Sequence, residues 1–134
     1  MTTELDWEQT LFTFILHARN ARSKAKEAAE HADASEWAEA EACMREANEE
    51  QLKAHEVNAN IIRMEAGGQG VPFSVLLVHA MDLLLLAWSE LDYTQQYIAM
   101  CKRVRALETE LAQWKNQASK SRPSSAAEAR TRPN

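Results

Sequence analysis

Residues 74–88 read SVLLVHAMDLLLLAW, twelve apolar side chains around one histidine, His79, and one aspartate, Asp82. The run predicts a buried helix. An unpaired carboxylate in such a helix costs several kcal/mol or is forced to protonate. Residues three apart lie about 60° apart around a helix axis, so His79 and Asp82 address one region, with Asp82 on the stripe Val75, Val78, Leu85 and Ser89 and His79 beside it. Taken alone, the pair fits either a structural His and Asp satisfied in a core or a reactive site.

Upstream, Gly67-Gly-Gln-Gly70 gathers all three glycines of the chain, and Val71-Pro-Phe-Ser74 follows. A helix must stop there and a loop must turn, with Ser74 as the N-cap of the next helix. Before the glycines, Trp37, Ala40, Met44, Ala47, Gln51, Ala54, Asn58 and Ile61 recur in steps of three and four. They are the seam of a second helix, partly polar at Gln51 and Asn58. Asp33-Ala-Ser-Glu36 has the spacing of a capping box for that helix. Earlier still, Trp7, Leu11, Phe14, Ala18, Ala21, Ala25 and Ala28 form the seam of a first helix, expected from about residue 3 to about residue 31. Its alanine half allows a neighbouring backbone to approach closely.

Downstream, Tyr93, Tyr97, Met100, Val104, Leu107, Leu111 and Trp114 keep the same spacing, so the third helix is expected to reach about residue 117. Some 43 residues of helix span roughly 65 Å, against about 45 Å for a helix of thirty. The end of helix 3 should therefore overhang its neighbours and seek a partner, most simply another copy of itself. The expected class is all-α: an antiparallel three-helix bundle of the spectrin-repeat kind with a long third helix, assembling with further copies of itself. One domain is expected over residues 1–118, and a polar, disordered tail over residues 119–134.

Composition agrees. The 134 residues are 46% hydrophobic and 26% charged, enough for one core. With three glycines and three prolines the chain lacks the turns of a β protein. A formal net charge of −5 argues against a general nucleic-acid binder, which needs a basic face. Cys43 and Cys101 have neither zinc-site nor disulfide-framework spacing, and reduced thiols in a cytoplasm are the simplest reading. The acidic, polar start does not read as a signal peptide. The apolar run of residues 71–88 is borderline in length for a membrane span and carries His79 and Asp82, so it is read as buried in protein rather than lipid.

Of the four histidines, His31 and His55 read as solvated or hydrogen-bonded helix residues. His31 lies at a helix end, where an imidazolium favours the C-terminal dipole. The chain has no Glu-x-x-His pair of the carboxylate-bridged metal bundles, no HExxH and no signature of a Ser/His/Asp or Cys/His nucleophile.

Three blocks now coincide with one family. His17-Ala-Arg-Asn-Ala-Arg-Ser23 resembles the family's His-x-Gly-x-Ala-Arg-Ser; residues 49–66, with Ala54-His55 and a closing Met-Glu-Ala, resemble its second helix; Val75-Leu-Leu-Val-His-Ala-Met-Asp82 resembles its Leu-Leu-Val-His-Ala-Gln-Asp. The chain thus resembles the lactose/cellobiose-type IIA component of the bacterial sugar phosphotransferase system, over about residues 4–105. Arg19, Met81 and Leu83 depart from the family's glycine, glutamine and histidine. The resemblance implies that His79 is the phosphorylated histidine, receiving a phosphoryl group from HPr and passing it to a sugar-specific IIB component that serves a membrane IIC. It also implies that Asp82 is shared by three subunits around one Mg²⁺ on the trimer axis. For two large partners to reach it, His79 should lie in a shallow cleft with an apolar rim of Leu76, Leu77, Met81 and Leu83. The competing class is a non-enzymatic helical module that assembles and recruits.

Overall fold

A computed structural model describes residues 2–123, with side chains from Asp6. Among the described residues there are three helices and no strand: α1 (Thr2–Asp33), α2 (Trp37–Ala66) and α3 (Val75–Lys120). The chain divides into two compact units, Met1–Lys102 and Arg103–Asn134.

In the first unit the seams read from the sequence are the buried faces. On α1, Leu11, Phe14, Ala18, Ala21, Ala25, Ala28 and Ala32 are all buried; on α2 they are Ala40, Met44, Ala47, Gln51, Ala54 and Ile61. Pairs across the helices give their sense. His17 meets Glu50 and Lys24 meets Glu46, so α1 and α2 are antiparallel. Arg22 meets Glu90 and Asp33 meets Tyr97, so α3 returns along α1; Gln51 reaches Leu84 and Glu41 reaches Lys102, so it opposes α2.

The core has two parts of different character. Near the start of α3 it is built of large groups: Leu11, Phe14, Ile15, Ile61, Leu77, Leu83 and Leu84. The other part is mostly alanine, with Ala21, Ala25, Ala28, Ala32, Ala40, Ala47 and Ala87 around Met44, Leu91 and Ile98. Helices can touch almost backbone to backbone along such a seam.

The α1–α2 turn differs from the expected capping box. Asp33 ends α1 and accepts a hydrogen bond from the Tyr97 hydroxyl, a bond that, first among its causes, pushes the Tyr97 phenol up to about 12. Glu36 stands at the N-cap of α2 without a side-chain cap and instead accepts from His31 Nδ1 at 2.6 Å. The turn is held from the other side. Glu36 N–H returns to His31 O at 2.9 Å and Ser35 N–H to Ala32 O at 3.0 Å, around Ser35 at φ 61°. This is a Schellman stop of α1 in which serine occupies the left-handed position usually given to glycine. The end of α2 repeats it with glycine: Gln69 N–H to Met64 O and Gly68 N–H to Glu65 O, both 3.0 Å, around Gly68 at φ 81°.

In the second unit the helix continues to Lys120, three residues past the expected end, and every described side chain beyond Cys101 is exposed. The expected disordered tail lies outside the described residues from position 124 on.

Gly68 and Gly70 test the stop of α2. Both have open space where a Cβ would stand, and only Gly68 has positive φ. Gly68→Ala should cost about 1 kcal/mol of stability through left-handed strain, whereas Gly70→Ala should be neutral or stabilising by a few tenths, roughly. Urea melts of the two variants check this.

Candidate functional site

The first turn of α3 sets the site. Ser74 Oγ accepts the Leu77 N–H at 3.1 Å and Ser74 O the Val78 N–H at 3.2 Å, the N-cap expected from the sequence. The helix then buries Leu77, Ala80, Leu84, Ala87, Leu91 and Ile98. At 3.6 residues per turn, the stripe of Val75, Val78, Asp82 and Leu85 lies on the opposite face, with His79 at its edge. His79 and Asp82 are both exposed, and neither has a hydrogen-bond or ion-pair partner among the described residues.

Asp82 is therefore a lone carboxylate within an exposed apolar surface: Val75 is 83% exposed, Val78 40% and Leu85 64%. The burial penalty that made it anomalous in the sequence is absent in the single chain. The expected cleft is corrected. Leu77 and Leu83 cannot form a rim, because both are buried in the large-residue core; Leu76 and Met81 are half-buried against it. Leu83, standing where the family carries histidine, has become a core residue.

Two hollows occur elsewhere, a groove of about 440 Å³ between α2 and α3 floored by Met44, Ile98 and Ala99, and an open depression of about 520 Å³ beside Phe12 and Leu16 on α1. His79 lines neither. An exposed imidazole on a helix flank suits a partner that brings its own surface better than a small molecule seeking enclosure.

Cross-helix contacts hold the flank in place. Arg22 grips Glu90 with Nε at 2.8 Å and Nη2 at 2.7 Å, a bidentate pair between α1 and α3 whose hydrogen bond raises the Arg22 pKa. His17 Nδ1 lies 2.6 Å from Glu50 Oε2; since a carboxylate only accepts, Nδ1 carries the proton. Lys53 and Asn20 also donate to Glu50, at 3.1 and 3.4 Å. The bond from His17, above all, holds Glu50 below its ordinary value of 4.5, against a burial effect of opposite sign. On α2, His55 meets the Trp88 ring edge-on, centroids 5.6 Å apart. No local sequence signal pairs His17, Arg22 or His55 with its partner, because Glu50, Glu90 and Trp88 lie 33 or more positions away.

Among the described residues of one chain, no three His, Cys, Asp or Glu side chains converge on a metal position. Asp82 offers a single carboxylate, a hard oxygen ligand. It fits a divalent cation only if further copies of the chain bring their own carboxylates.

Comparison with known proteins gives one family throughout. The family model "PTS system, Lactose/Cellobiose specific IIA subunit" matches residues 9–102. The lichenan-specific phosphotransferase enzyme IIA component of Bacillus subtilis is 35% identical over 74% of this chain and 90% of its own length. The cellobiose-specific IIA component of Lactococcus lactis is 31% identical over 79% and 91%. A crystal structure of the cellobiose-specific enzyme IIA from Bacillus anthracis superposes with a TM-score of 0.73 at 37% identity, covering 75% of this chain and 92% of that one.

The Glu50 cluster has a pH signature. A carboxylate whose folded pKa is depressed stabilises the fold fully above its unfolded pKa, near 4.5, and loses that contribution as pH falls through the lower folded value. Glu50→Gln should lower stability at pH 7 and flatten its decline below about pH 4.5 relative to the parent chain. Thermal melts between neutral and acid pH check both.

Proposed function

Because the chain belongs to the lactose/cellobiose-specific IIA family of the sugar phosphotransferase system, we propose that it carries a phosphoryl group on His79, taking it from phospho-HPr and passing it to the cysteine of a IIB component during uptake of a β-linked disaccharide. The observation that carries this reading is an exposed imidazole, without a partner among the described residues, at the position matching the family's reactive histidine. The sugar meets IIB and the membrane IIC, not this chain. No described helix is long and apolar enough to cross a membrane, and the exchange is assigned to the cytoplasm.

In the first step the unprotonated imidazole nitrogen of His79 attacks phosphorus and the P–N bond of the HPr phosphohistidine breaks; His79 sheds the proton of its other ring nitrogen, and the departing imidazole takes up one in its place. In the second, the IIB thiolate sulfur attacks and the His79 P–N bond breaks in the same manner. An in-line transfer through a loose transition state depends on alignment and charge stabilisation more than on covalent help. The chain's own part is to fix the imidazole on α3, which Arg22–Glu90 and the large-residue core brace, and to leave it open to both partners.

Asp82 is assigned to assembly. Three copies of the chain, meeting through the exposed stripe of α3, would bring three Asp82 carboxylates to one axis as a homotrimer. Like charges so placed need a cation or a shared proton, and Mg²⁺ suits three hard oxygens. Bound there, the ion would neutralise the cluster and hold trimer register. It takes no part in the transfer.

The second reading, a non-enzymatic assembly module, draws on the same exposed apolar face. Phosphate labelling separates the two. With enzyme I, HPr and phosphoenolpyruvate the chain should take up acid-labile, base-stable phosphate, His79→Ala should take up none, and the His17, His31 and His55 variants should still be labelled. Labelling of His79→Ala to the parent level sinks the site assignment.

Light scattering at micromolar concentration should give a trimer. Asp82→Leu should give one at least as stable, because replacing a buried polar cluster by apolar groups is neutral or stabilising by about 1–4 kcal/mol. Its melting should be indifferent to EDTA and its phosphoryl transfer slower. A variant melting well below the parent would mean that the carboxylates stabilise the assembly outright.

A further inference from the structure

The family match ends at residue 102, and the Bacillus subtilis relative spends 90% of its own length on 74% of this chain. The helix does not end there; α3 runs on to Lys120. Over residues 103–120 this chain therefore carries helix that the family's domain does not account for. Four large apolar groups recur on it in steps of three and four, Val104, Leu107, Leu111 and Trp114, and they are 45%, 62%, 52% and 75% exposed. As Val-Leu-Leu-Trp at alternating first and fourth heptad positions, they have the spacing of a coiled-coil seam, and no second strand covers them among the described residues.

The charges beside the seam say what the second strand is. Arg103 and Glu110 flank it on one side, Glu108 and Lys115 on the other. In a parallel, in-register coil each residue of the first side meets the one five positions on in the neighbouring helix. Arg103 then meets Glu108 of the next copy, and Glu110 meets Lys115: both contacts attract. In an antiparallel pairing of the same seam, with Val104 opposite Trp114 and Leu107 opposite Leu111, Glu108 would face Glu108 and Glu110 would face Glu110. Among the described residues Glu108 accepts an exposed bond from Arg105 at 3.3 Å, which competes weakly.

We propose that residues 103–120 form a parallel, in-register coiled coil with the same segment of other copies of this chain, a stalk added to the family's domain. Just over two heptads are too short to associate alone, so the stalk rests on the assembly proposed above to bring the strands together. In return it ties the copies at a second place.

The test uses the full chain. With Cys43→Ser and Cys101→Ser as background, Leu107→Cys should cross-link between copies on mild oxidation, and Gln113→Cys, on the outer side of the helix, should not. Sedimentation of Leu107→Asp/Leu111→Asp should show the concentration for half-assembly raised by about a hundredfold or more. Glu110→Lys should raise it about two- to tenfold, and adding Lys115→Glu should restore it. Absence of the Leu107→Cys cross-link, cross-linking of Gln113→Cys to the same extent, or unchanged assembly in the double aspartate variant would each overturn the proposal. Phosphate uptake by His79 is read in parallel. If the parent chain takes up none while Leu107→Cys cross-links, the phosphocarrier reading fails and the stalk stands.

Discussion

Helix α3 is apolar nearly all round in its first four turns, and it can give the bundle only one side. The side taken is Leu77, Ala80, Leu84, Ala87, Leu91 and Ile98. Once that side is docked against α1 and α2, helical periodicity leaves no freedom over where the others point. His79 and Asp82 face outward because Leu77 and Leu84 face inward, and the Val75–Val78–Leu85 surface around them is uncovered for the same reason. Every functional assignment made for this chain descends from that rotation.

The same property marks where sequence reading succeeds. On α1 and α2 one stripe keeps a strict three-four spacing, so the seams could be named residue by residue, and from Leu11 to Ile61 all but half-buried Trp37 and Asn58 prove buried. Ser74 was legible because a capping serine acts within four residues of chain. On α3 periodicity could not say which of several apolar stripes faces in, and Leu77 and Leu83 were accordingly placed at the rim of a cleft when they belong to the core. The α1–α2 turn misled for another reason. Asp33 and Glu36 have the spacing of a capping box, yet Asp33 is engaged by Tyr97, 64 positions away, and Glu36 by His31. The backbone closed the turn through Ser35 instead. The roles expected of His79 and Asp82 came from the likeness of one eight-residue block; the residues alone pointed first to a pair satisfied in the core.

Some polar groups remain costly within this frame. Gln51 is the buried polar residue of the core, its amide reaching Leu84 O at 3.5 Å while its own oxygen has no partner among the described residues; Trp7 Nε1 and Asn58 Oδ1 are in the same position. Such atoms oppose stability. They also reject alternative helix registers, since sliding α2 by a turn would carry Gln51 into the leucines.

The two halves of the core differ in how many internal torsions they freeze. Alanine has no side-chain rotamers to lose, so the seam from Ala21 to Ala47 is assembled at almost no side-chain entropy cost and has nothing to rearrange afterwards. Leucine, isoleucine and phenylalanine at the other end each retain alternative wells, and half-buried Met81 adds three rotatable bonds beside His79. One end of the bundle is thus a stiff spine and the other a surface that can repack by small side-chain moves. His79, proposed to meet two unlike proteins in succession, stands at the end where the molecule can change shape without moving a helix.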